Sequence, residues 1–148
     1  MKNKYNMTKE DNIFFAKRKL TDNLYKSANL EGIAVTFADT VAFVNNVNTG
    51  NISINDMLKL KGLKDAWEFV LDTIDEELTI NYIKKIHFEI CKGQGVEPLG
   101  EFRDKGVGIT GTSYTPKLPS ECNYDAELND IMNIDNALDR CITLFLWI

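Results

Sequence analysis

Apolar residues recur three and four positions apart along most of this chain, and that spacing commits it to a mainly α fold. Leu60, Leu63, Trp67, Val70, Leu71 and Ile74 keep the period most cleanly. Ile80, Ile83, Ile86 and Ile90 share one face of the next segment, which begins at Thr79 and is closed by Gly93-Gln94-Gly95. A first helix is predicted from about Thr8 to Leu30, on Ile13, Leu20, Leu24 and Ala28 widened by Phe14, Phe15 and Tyr25. Gly32 is its stop. A short helix starts near Thr36, an N-cap residue, and runs through Val41 and Val44. The run Asn45-Asn46-Val47-Asn48-Thr49-Gly50-Asn51 reads as a loop. Helical pattern resumes near Ser120, with Tyr124, Leu128 and Ile131, and a last helix starts around Asp135.

One stretch breaks the period. Between Pro98 and Pro119, glycine, proline and β-branched residues interleave, and this predicts an irregular β-hairpin inserted late in a helical chain. Within it, Gly106-Val107-Gly108-Ile109-Thr110-Gly111 matches G-x-G-x-x-G. That pattern signals dinucleotide binding between a strand and a helix, where the helix N-terminus meets the pyrophosphate. Here a helix precedes it, and Pro116 and Pro119 forbid a helix after it. The glycines therefore read as turn and bulge positions.

The 148 residues suit one domain with a core of its own, and 44% hydrophobic with 26% charged residues argues against wholesale disorder. A net charge of −5 argues against nucleic-acid or anionic-membrane binding. The first 26 residues are basic, and Lys17-Arg18-Lys19 reads as a wet helix face. No apolar h-region follows, so this is not a signal peptide. Three widely spaced cysteines, Cys91, Cys122 and Cys141, favour reduced thiols in a cytoplasmic protein. With His87 as the one histidine, no Cys/His cluster for a metal is read, and His87 itself reads as a packed or surface residue.

The last eight residues, Cys141 to Ile148, are apolar apart from Thr143 and carry no cap, charge or turn residue. They read either as a helix end docked into the core or as the first half of a buried helix whose continuation carries the chemistry. Spanning a membrane would need roughly 20 apolar residues.

Three ordered features resemble the Fic-domain family. Ser27-x-x-x-Glu31-Gly32 is similar to its [S/T]-x-x-x-E-[G/N] inhibitory helix. Ile86-His87-Phe88-Glu89-Ile90-Cys91-Lys92 is similar to the helix that opens its core. Leu99-Gly100-Glu101-Phe102-Arg103, followed by Gly106–Gly111 and Tyr114-Thr115-Pro116, resembles its flap, a hairpin over the active site. The resemblance implies a helical bundle of the Fic type with one inserted β-hairpin, a single domain over 1–148. Residues 8–32 would form the inhibitory helix, and 33–148 an incomplete core with the flap at about 100–116.

The activity implied is transfer of AMP from ATP to a hydroxyl of a target protein, with ATP and magnesium as the ligands of the completed protein. The inhibitory residues would be Ser27, Glu31 and Gly32. The target would meet Gly106, Val107, Gly108, Ile109, Thr110 and Gly111. The resemblance is compatible with a homodimer and implies neither nucleic-acid nor membrane partners. The family's catalytic loop, H-x-F-x-[D/E]-G-N-x-R-x-x-R, is missing here, so the chain is expected to be the inactive N-terminal portion of such an enzyme, with no catalytic residue or metal ligand of its own. The alternatives are a non-catalytic Fic remnant serving as a protein-binding or regulatory module, and an unrelated helix-turn-helix regulator over residues 50–71. The acidic body counts against the last.

Overall fold

The computed structural model describes residues 4–47, 50 and 52–148. Asn48, Thr49 and Asn51 of the expected loop lie outside the described residues. Seven α-helices form among the described residues: α1 (Lys9–Arg18), α2 (Leu20–Leu30), α3 (Phe37–Val44), α4 (Ile54–Asp72), α5 (Ile80–Cys91), α6 (Tyr124–Met132) and α7 (Ala137–Trp147). Contacts divide the chain into two compact units. One comprises residues 7–76 and 85–100, and the other comprises residues up to Asn6, 77–84 and 101–148.

In the first unit, capping chemistry sets the helix starts. Thr8 accepts from the Asp11 amide at 3.1 Å while Asp11 accepts from the Thr8 amide at 3.0 Å. Thr36 and Asp39 repeat the exchange at α3. Each such box satisfies two backbone donors that a helix N-terminus leaves unpaired. The single first helix predicted over 8–30 is instead two. At Lys19 the backbone amide divides its bond between the carbonyls of Phe15 (3.0 Å) and Ala16 (3.2 Å), and the helix restarts at Leu20. Gly32, at φ 68°, ends α2 in the left-handed conformation that favours glycine.

Leu24 and Ala28 of α2 and Leu60 of α4 are fully enclosed, with Ile33, Val35 and Ile52 around them. Thr40, also fully enclosed, donates its hydroxyl to the Thr36 carbonyl at 3.0 Å. Gly62 lets α4 approach α5, because a Cβ there would stand 1.9 Å from the Ile90 carbonyl oxygen. Asp65 of α4 takes Lys61 at 2.5 Å and Lys92, just past α5, at 3.2 Å.

In the second unit, Leu128 and Ile131 bury the inner face of α6, and Ile80 and Tyr82 are buried with them in the same unit. Phe102, Tyr124 and Trp147 form an aromatic chain with ring centroids 5.0 and 5.8 Å apart. The Trp147 indole donates to Glu127 at 2.7 Å. Asn136, not Asp135, caps α7, accepting from the amides of Leu138 (3.0 Å) and Asp139 (3.1 Å). Phe145, Leu146 and Ile148 at the end of α7 are about four-fifths exposed (80%, 77% and 77%).

The β-hairpin expected at about 100–116 is not formed. Among the described residues the chain has no strand. The one backbone–backbone hydrogen bond inside residues 104–117 runs from Thr112 to Ile109 at 3.3 Å. Sheet pairing draws its stability from opposed side chains, and Gly106, Gly108 and Gly111 supply none. Arg103 organises the segment instead. Its guanidinium donates to the carbonyls of Lys105 (2.7 Å), Pro116 (3.4 Å) and Lys117 (2.5 Å), drawing the two ends of the loop together.

Candidate functional site

Ser27 and Glu31 stand one helical turn apart at the end of α2, where the Glu31 amide donates to the Ser27 carbonyl at 3.0 Å. Both side chains open on cavities of the first unit. Ser27 borders one of about 290 Å³, whose walls are Leu63, Ala66, Trp67, Val70, Ile86 and Ile90. Glu31 borders a smaller one of about 150 Å³, with Lys59, Cys91 and Gln94 among its walls. Leu63 and Ile90 line both, so the two cavities adjoin. Leu63 and Trp67 are half-buried and face this space.

The Glu31 carboxylate is exposed and makes no ion pair or side-chain hydrogen bond among the described residues, Lys59 included. Its charge reaches Cys91. Burial, and after it the Glu31 carboxylate, push the Cys91 thiol above its ordinary range. His87 adjoins the same thiol, with Nε2 3.5 Å from the Cys91 sulfur, while Nδ1 accepts from the Gly100 amide at 3.1 Å. Acceptance at Nδ1 puts the proton of the neutral ring on Nε2, facing sulfur. The pair is therefore not arranged to deprotonate the thiol. His87 is exposed and ties α5 to the turn that follows it. The i, i+4 spacing of His87 and Cys91 was the signal for this contact, and it is too common to be read as one without the structure.

Residues Gly106 to Gly111, expected to form the flap, belong to the second unit and are exposed throughout. Gly111 takes φ 84°, which favours glycine at the turn. Apart from Ile109, none of the six makes a backbone–backbone hydrogen bond among the described residues. Arg103, which holds this loop, closes the Leu99–Arg103 motif of the sequence reading, which gave it no role of its own.

Among the described residues no group of three or more His, Cys, Asp or Glu side chains gathers as a metal site. Among them, too, no helix is long and apolar enough to cross a membrane. The chain matches no protein-family model, no curated protein and no solved structure.

Proposed function

We propose that the chain carries the self-inhibitory helix and the target-binding loop of a Fic-type protein AMP transferase. In that reaction a target hydroxyl attacks the α-phosphorus of ATP. The new P–O bond forms as the bond to the β-phosphate breaks, pyrophosphate leaves, and a base takes the hydroxyl proton. Among the described residues no metal-ligand cluster gathers, and in this reading ATP and magnesium are held by the catalytic loop of the completed protein. In this reading the chain contributes regulation and target recognition.

The observation that carries the reading is Glu31: an unpaired carboxylate at the stop of α2, one turn from Ser27 and opening on a cavity. A guanidinium fork accepts a carboxylate or a phosphate with the same geometry, so Glu31 held on an arginine excludes the phosphate that arginine would bind. Apart from the Ile109 carbonyl, residues 106–111 offer backbone donors and acceptors that no other backbone group takes, suited to an extended target segment.

The test is the protein joined to its H-x-F-x-[D/E]-G-N-x-R-x-x-R loop, with labelling from ATP marked at the α-phosphate. Removing a charge-assisted pair is worth ~1.5–3 kcal/mol, so Glu31→Gly raises self-labelling by about tenfold to a hundredfold. Unchanged labelling in a well-folded variant discards the inhibitory role. The second reading, a non-catalytic protein-binding module, is favoured by the exposed loop at 106–111. Target binding without label transfer in the joined protein would select it.

A further inference from the structure

Helices α1 and α2 and the second half of α4 border an open groove of about 780 Å³. That lies within the range of small-molecule sites, ~300–1,000 Å³. Ile13, Trp67, Val70, Leu71 and Ile74 give it an apolar lining, and its rim carries Lys9, Lys19 and Lys26. Two of these ammonium groups are neutralised, Lys9 by Asp75 and Lys26 by Asp22. Lys19 has no ion pair among the described residues. Its Nζ stands 6.0 Å from the ring centroid of Phe15, which also borders the groove. Asp22 also borders the groove and its carboxylate feels the Lys19 charge, so the ammonium groups of Lys9, Lys19 and Lys26 stand against Asp22 and Asp75 with one positive charge in excess. An apolar trench with that excess at its mouth is complementary to a single-chain amphiphile with an anionic head.

We infer that this groove binds a monomeric long-chain carboxylate, its chain along Trp67 and Val70 and its head on the Lys19 ammonium. The inference does not depend on the AMP-transferase reading, and it uses neither Ser27 nor Glu31. Calorimetric titration of the full chain with dodecanoate, kept below its micelle concentration, is the test, with dodecyltrimethylammonium as the opposite-charge control. Dodecanoate binds and the control does not. Affinity rises about fourfold per methylene from octanoate upward, the factor expected for burying one CH₂.

Lys19→Glu, an exposed change, weakens dodecanoate by about tenfold or more and lets the ammonium amphiphile bind. Ala16→Trp fills the groove and abolishes binding, with circular dichroism confirming that the helices remain. Equal binding of both head groups overturns the inference. So does an affinity indifferent to Lys19→Glu, or uptake seen only above the micelle concentration or on anionic vesicles.

Discussion

Glu31 and Arg103 hold opposite positions in the economy of charge. Glu31 keeps its carboxylate unpaired at a cavity, whereas Arg103 spends its donors on three carbonyls of its own loop. A lysine in its place could not do the latter, because its ammonium lacks the planar fork that spans separate acceptors. Arg103→Lys is therefore expected to loosen the loop. Limited proteolysis should cut residues 104–115 several times faster, with helical content unchanged. Equal cleavage rates would show that the glycines, not Arg103, set the conformation. The serine and glutamate of α2 were legible from their four-residue spacing, which places them on one helix face. That Glu31 lacks a partner was not legible, because Lys59 comes beside it only through the packing of the first unit.

At the scale of elements, α4 and α5 meet through a glycine and an ion pair. In Gly62→Ala a methyl would collide with the Ile90 backbone, at 1.9 Å from its oxygen and 2.9 Å from its carbon. Overpacking of this kind costs ~1–3 kcal/mol, while alanine returns up to ~1 kcal/mol of helix propensity. Chemical denaturation should show a lower midpoint, and a raised one would contradict the close approach.

Asp65 adds a pH dependence. Partial burial raises its pKa, but the bonds from Lys61 and Lys92 outweigh this and hold the carboxyl below its ordinary 3.8. A folded pKa below the unfolded one gives stability that is present above about pH 4 and lost as pH falls through the depressed value. Asp65→Asn should flatten the acid limb of the stability curve. An unchanged acid limb would show the carboxylate to be energetically idle.

Local chemistry made Thr36, Gly32 and the helical periods readable from sequence. It did not reveal the break at Lys19, since Ala16 to Asp22 contains no glycine or proline. Nor did it choose Asn136 over Asp135, because both are good caps and the choice rests on the turn from α6. The hairpin failed for the converse reason. Turn residues and β-branched residues were present, but the apolar pairs that hold two strands together were not.

At the scale of the whole molecule, the two compact units carry different parts of the proposed function. The unit of residues 7–76 and 85–100 holds the inhibitory pair, and the other holds the loop at 106–111. The α5 helix passes through both, with Ile80–Lys84 in one and Lys85–Cys91 in the other. Phe145, Leu146 and Ile148 at the end of α7 are exposed. The central claim is that these parts serve a Fic-type catalytic loop. The measurement that tests it most directly is the nucleotide sequence following the Ile148 codon, read in all three frames. The account predicts an H-x-F-x-[D/E]-G-N-x-R-x-x-R segment within a few turns of helix. A stop with no such segment downstream in any frame would contradict it.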